Sequence, residues 1–72
     1  MIVSIRYSAT MKPMKVHVLD NDPVEATANH LGILFDFKNP RLLKNSKVLQ
    51  SDKTLVQAGV LEGDTLEIEE AV

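Results

Sequence analysis

The stretch that decides the fold runs over residues 41–68 and reads RLLKNSKVLQSDKTLVQAGVLEGDTLEI. Its first part contains two short apolar segments, 41–44 and 47–50, on either side of the dipeptide Asn45-Ser46. This arrangement predicts two short strands joined by a turn. The polar residues 51–54 then predict a loop that leaves the second strand.

The second part of this stretch alternates between turns and apolar residues. Residues 55–59 look like one helical turn closed by a glycine. Gly63 lies in a following turn, at a position that favours positive φ. Leu66 and Ile68 alternate with polar residues and predict a final strand over 65–69, with both side chains facing the core.

The first eighteen residues predict a β-hairpin. Residues 1–7 and 14–18 each alternate apolar and polar side chains with the period of a strand. The segment between them breaks the pattern and contains a plausible turn. Pro13 has no N–H group, so we expect it at the first residue of the second strand or at an unpaired position.

Residues 20–39 predict the main helix. Asp22 is placed to cap exposed N–H groups, and Pro23 suits the first helical position. Apolar or small side chains recur at helical spacing at Val24, Thr27, Ala28, Leu31, Leu34 and Phe35. Either Gly32 closes this helix, or the helix continues to about Phe35. It ends before Pro40 in both cases.

The resulting order is β-β-α-β-β-β, which indicates an α+β domain. One helix cannot cover both faces of a sheet, so one face should carry the helix and the other should face water. The expected core consists of Val3, Ile5, Met14, Val16, Val18, Val24, Leu31, Leu42, Leu49, Leu55, Val60, Leu66 and Ile68.

Composition narrows the function classes. The 72 residues allow one domain, and their net charge of −2 and few aromatic residues argue against binding nucleic acid. No apolar run is long enough to cross a membrane and no signal peptide is recognisable, so we expect a cytoplasmic or nuclear protein. No catalytic or phosphate-binding motif occurs, and His17 and His30 lack carboxylates at metal spacing. We therefore expect no enzyme, no cofactor and no metal.

Three stretches, RLLKNSKVLQ (41–50), KTLVQAGV (53–60) and GDTLEI (63–68), resemble ubiquitin in residue type and joint spacing. The N-terminal hairpin and the Asp-Pro helix start fall in the expected order, so the resemblance covers essentially the whole chain. It implies a ubiquitin-like β-grasp, ββαβ(β), with a mixed sheet and one helix packed on one face.

The resemblance also implies a function. Conjugated modifiers and sulfur carriers of this family end in Gly-Gly, whereas this sequence ends Glu69-Glu-Ala-Val72. We expect residues 1–72 to form a monomeric, non-conjugated domain at the start of a longer protein, similar to those of proteasome-shuttle and DNA-damage-inducible protease-like proteins. Its partners would be ubiquitin receptors, proteasome subunits or ubiquitin. The alternatives are a modifier or sulfur carrier processed from a precursor, and a stand-alone bacterial secretion accessory.

By the same resemblance, the binding surface is the water-facing side of the sheet, centred on Leu43. Arg6, Lys47, Glu67 and Glu69 would set its charge preference. The two glutamates should make this surface acidic and favour partners with Lys or Arg around an apolar anchor. The alternatives are a scattered surface leucine and a solvated strand face.

Two further features remain open. Arg6, Lys44 and Lys47 are expected to form a basic flank, although Lys47 reads more simply as a solubilising lysine. The apolar segment 33–37 either caps the open end of the core or forms a second hydrophobic contact.

Overall fold

A computed structural model describes residues 1–7 and 12–71. The described residues form five strands and one helix: β1 (Ile2–Arg6), β2 (Met14–His17), α1 (Val24–Leu34), β3 (Pro40–Lys44), β4 (Lys47–Val48) and β5 (Thr65–Glu70). This is the predicted order of elements. The predicted turn between β1 and β2 lies for the most part outside the described residues.

The strands form one mixed sheet in the order β2-β1-β5-β3-β4. The two central strands, β1 and β5, are parallel, and Ile5 pairs with Leu66. The other neighbours are antiparallel, with Leu42 opposite Ile68 between β3 and β5. Helix α1 packs on one face of the sheet, against β3 and β5. The fold predicted from the sequence, an α+β β-grasp with a mixed sheet, is therefore confirmed.

The core lies between α1 and the sheet. Its buried members are Val3, Ile5, Val18, Val24, Ala28, Leu31, Leu42, Leu55, Val60, Leu66 and Ile68. Of the other predicted core residues, Val16 and Leu49 are half-buried and pack against this cluster. The prediction for Met14 is wrong, because Met14 is 36% exposed. It begins the edge strand β2, which has a neighbouring strand on only one side.

The predicted N-terminal cap of the helix is also wrong. Pro23 occupies the N-cap position, and no side chain in the described ranges caps the helix. The Asp22 carboxylate instead accepts a hydrogen bond from the Leu19 N–H at 3.0 Å. The first helical N–H, that of Val24, donates to the Lys53 carbonyl at 2.8 Å. A backbone group from a distant loop thus does what a local side chain was expected to do.

At its other end, α1 continues through Gly32 to Leu34, which decides between the two predicted ends. Gly32 is buried against Pro40: a Cβ atom on Gly32 would lie 2.6 Å from the Pro40 Cβ. This residue therefore allows the start of β3 to approach the helix closely.

The turns in 41–68 follow the prediction. Asn45 and Ser46 both have positive φ, 52° and 67°, as a two-residue hairpin turn requires. Such a turn sets the register, and it pairs Leu43 with Val48 and Lys44 with Lys47. Gly63 has the expected positive φ of 84°.

Candidate protein-binding face of the sheet

The face of the sheet opposite α1 is the candidate site, and we call it the outer face. Strand alternation places on it the neighbours of the buried residues, because successive side chains point to opposite sides. Its described members are Ile2, Ser4, Arg6, Lys15, His17, Arg41, Leu43, Val48, Thr65, Glu67 and Glu69. All of them are exposed or half-buried.

An apolar pair of side chains lies on the outer face at the β3–β4 side of the sheet. Leu43 is half-buried, and its partner on β4, Val48, is 49% exposed. Directly opposed residues on antiparallel strands share a face and lie close together. The sequence analysis named Leu43 but missed Val48. The signal was available, because a two-residue turn at Asn45-Ser46 pairs these two positions.

The acidic side chains of the outer face are neutralised by arginines on neighbouring strands. Glu67 lies between Arg6 and Leu43 in the register, and its carboxylate is 4.0 Å from the Arg6 guanidinium. Glu69 pairs with Arg41, whose guanidinium donates a hydrogen bond to its carboxylate and forms an ion pair with it. The expectation of an acidic surface is therefore wrong, and the sequence analysis did not single out Arg41.

The predicted basic flank does not form as one surface. Arg6 lies on the outer face, whereas the alternation of β3 directs Lys44 to the helix side. The Lys44 ammonium is 2.8 Å from the Asp64 carboxylate and also donates to the Gly59 carbonyl. The register pairs Lys47 with Lys44 rather than with Leu43. Because directly opposed residues share a face, Lys47 lies on the helix side with Lys44, at the edge of the sheet, and not on the outer face.

The contact between Lys44 and Asp64 favours the ionised form of the Asp64 carboxyl. The hydrogen bond from Lys44 lowers the pKa of the Asp64 carboxyl below its ordinary value. A second hydrogen bond, from the Leu61 N–H at 2.8 Å, acts in the same direction, and the desolvation of the carboxyl opposes both. The ionised carboxylate therefore ties β3 to the turn before β5.

The apolar segment 33–37 contains both packed and exposed side chains. Phe35 and Phe37 pack against the core, and the Tyr7 ring lies 5.2 Å from Phe35 between ring centres. These two residues cap the open end of the core, as one alternative predicted. Ile33 and Leu34, in contrast, are 75% and 60% exposed.

The described residues contain neither a candidate metal-binding cluster nor a candidate membrane-spanning helix. Within 1–7 and 12–71, no group of three or more His, Cys, Asp or Glu side chains could hold a metal ion. No helix in these ranges is long and apolar enough to span a membrane.

Comparisons with solved structures agree with this geometry. The chain superposes on ubiquitin from Caldiarchaeum subterraneum with a TM-score of 0.82, over 100% of this chain and 94% of that one, at 21% sequence identity. It also superposes on the solution structure of an N-terminal ubiquitin-like domain with a TM-score of 0.84, over 100% of this chain and 75% of the other, at 18% identity. The chain has the ubiquitin-like β-grasp fold.

This likeness is one of structure more than of sequence. No protein-family model matches the ubiquitin-like chain, and no curated protein sequence matches it significantly. At such low identity the shared fold does not carry a function with it. A function must therefore be argued from the side chains of the outer face.

Proposed function

We propose that the chain is a non-conjugated ubiquitin-like interaction module of the cytoplasm or nucleus. Its outer face docks on partners of the ubiquitin–proteasome pathway, which are ubiquitin receptors, proteasome subunits or ubiquitin itself. The observation that carries this proposal is the apolar Leu43–Val48 pair on β3 and the edge strand β4, on the face opposite α1. Ile2, at the start of β1, is the other apolar side chain among the described residues of this face. An apolar anchor pair with mostly polar surroundings is typical of a small protein-binding site.

The physical basis of docking is burial of this apolar pair. Leu43 is already partly shielded by its neighbours, so a partner needs to cover little further surface to remove both side chains from water. An amphipathic helix can do so by placing its apolar side chains across β3 and β4. Burial of apolar area of this kind contributes about 25 cal/mol per Å².

Charge on the outer face selects among partners. Because Glu67 and Glu69 are each held by an arginine, the surface presents mixed charge at the edges of the anchor. A partner that matches this pattern keeps each ion pair at the rim, where it remains hydrated. A partner that covers them with apolar groups must desolvate them, which is costly.

Binding can be tested by NMR. ¹⁵N-labelled protein is titrated with purified ubiquitin and, separately, with a purified proteasomal ubiquitin receptor. The amides of β1, β3 and β5 should shift, together with that of Val48. Binding accompanied by shifts only on α1 would disprove the surface assignment, and no binding to either protein would disprove the pathway.

A matched pair of variants tests the anchor. Leu43→Ala should leave the fold intact and weaken binding by more than about 1 kcal/mol, as removal of an anchor does. Leu61→Ala is the control, because Leu61 is also exposed but lies in the turn before β5. Equal affinities for the two variants would rule out Leu43 as the anchor.

A further inference from the structure

A concave surface of about 440 Å³ lies between the β3–β4 hairpin and the turn over 54–59. Three lysines line it, and so do three side-chain amides. These polar residues are Lys44, Lys47, Lys53, Asn45, Gln50 and Gln57. None of its lining residues is acidic. In a protein with a net charge of −2, this is a local concentration of positive charge.

Two of the three lysines are available to a ligand. Lys44 is already engaged by Asp64 and the Gly59 carbonyl. Lys47 and Lys53 are exposed, and neither forms an ion pair with a carboxylate in the described part of the chain. The oxygen of the Gln57 amide accepts a hydrogen bond from the Thr54 N–H at 3.1 Å, which orients the amide and leaves its NH₂ group as a donor. The concavity therefore presents donors and cations suited to an oxyanion.

This concavity is continuous with the proposed docking surface. Val48 lines it and is also the cross-strand partner of Leu43 on the outer face. Strand β4 is at the edge of the sheet, so a chain segment that lies across Leu43 and Val48 and continues past this edge reaches Lys47 on the other side. An acidic group that follows the apolar anchor of a partner would then enter the concavity that Lys47 and Lys53 line.

From this continuity we infer that the concavity binds the carboxylates of an acidic segment in the same partner that docks on Leu43. The inference rests on the proposed function and specifies its partner chemistry, which is an apolar anchor followed by Glu or Asp side chains. It reverses the expectation of a basic partner, because the glutamates of the outer face are neutralised whereas Lys47 and Lys53 are not. Charge complementarity of this kind raises specificity and the association rate.

The test uses three probes on ¹⁵N-labelled protein at low salt. They are the peptide acetyl-Glu-Glu-Leu-Glu-Glu-amide, the same peptide with Gln in place of Glu, and inorganic phosphate. The Glu peptide should shift the amides of Lys47, Val48 and Gln57 at millimolar concentration and bind more tightly than the Gln peptide. The double variant Lys47→Gln/Lys53→Gln should weaken its binding at least about threefold, the effect of losing two exposed ion pairs.

The control variant is Lys12→Gln/Lys38→Gln, which makes the same change in net charge at exposed lysines outside the concavity. It should leave the dissociation constant nearly unchanged. The inference is overturned if both double variants weaken binding equally, if the Glu and Gln peptides bind alike, or if neither shifts these amides. The inference is also overturned if phosphate binds as tightly as the Glu peptide and shifts only the amides of the concavity. The concavity would then be a site for small anions.

Failure of this inference differs from failure of the proposed function. If Leu43→Ala weakens binding of a pathway partner but the lysine double variant does not, the docking function stands. The proposal that the partner carries an acidic segment is then rejected. If binding of the Glu peptide is weakened by the lysine variant but no pathway partner binds the outer face, the carboxylate site stands and the proposed pathway is rejected.

Discussion

At Gly32, a close contact with Pro40, a residue in the next strand, requires the absence of a side chain. A glycine inside a helix usually costs about 0.5–1 kcal/mol relative to alanine. Here the helix passes so close to Pro40 that a Cβ atom would overlap the proline ring. The ring is rigid, so α1 and the start of β3 would have to separate to admit a methyl group.

We therefore predict that Gly32→Ala destabilises the protein by about 1–3 kcal/mol, the usual cost of overpacking. Chemical denaturation measures this change. Asn29→Ala is the control, because Asn29 is exposed on the same helix and alanine there should be neutral or slightly stabilising. A Gly32→Ala protein more stable than the parent would contradict the close approach.

Asp64 should contribute to stability in a pH-dependent way. Its pKa in the folded state lies below its ordinary value, so the ionised form favours the fold. The contribution is fully present above the unfolded-state pKa of about 3.9. It is lost as the pH falls from there through the lower pKa of the folded state.

Asp64→Asn removes both the ion pair with Lys44 and this titration. The variant should be less stable than the parent at neutral pH, and the difference in unfolding free energy should shrink at acid pH, below about 4. Urea denaturation at several pH values measures it. A difference that stays constant down to the acid limit would show that the carboxylate charge contributes nothing.

At the scale of elements, β3 carries two adjacent leucines with different roles. Leu42 is 1% exposed and packs in the core, whereas Leu43 lies half-buried on the outer face. Period-two alternation separates them, and the helix covers only one side. The same substitution at the two positions should therefore have different consequences.

Leu42→Ala should cost about 2–5 kcal/mol of stability, as expected for a buried leucine. Leu43→Ala should cost clearly less and should retain a dispersed NMR spectrum. Thermal and chemical denaturation of the two variants, measured side by side, provide the comparison. If Leu43→Ala proved as destabilising as Leu42→Ala, the outer face would be part of the core.

At the scale of the whole molecule, the fold depends on a central strand that comes last in the chain. Strand β5 lies between β1 and β3, and it supplies Leu66 and Ile68 to the core. Its parallel pairing with β1 joins residues about sixty positions apart, as in the pair Ser4 and Thr65. Such non-local contacts form only when most of the chain is present.

A chain ending before Thr65 should consequently be unfolded, with no cooperative thermal transition in circular dichroism. A chain ending at Glu70 is the control and should fold, because it keeps all of β5. A folded product from the shorter chain would mean that the remaining strands close a sheet without their central member.

The order of elements and most of the core could be predicted from the residues alone. Alternation over 65–69 and the turn dipeptide Asn45-Ser46 act locally, so the sequence determines them directly. The outward position of Leu43 follows from the same alternation. Its partner Val48 could also have been derived, since a two-residue turn sets the register.

The capping of the helix N-terminus and the charge of the outer face depend on residues distant in sequence, so only the tertiary structure determined them. Val24 receives its hydrogen-bond partner from Lys53, so the local capping signal at Asp22 was misleading. Glu69 is neutralised by Arg41, about thirty residues away, which changes the charge that the outer face presents. Local patterns determine which way a side chain points, whereas only the assembled sheet determines what lies beside it.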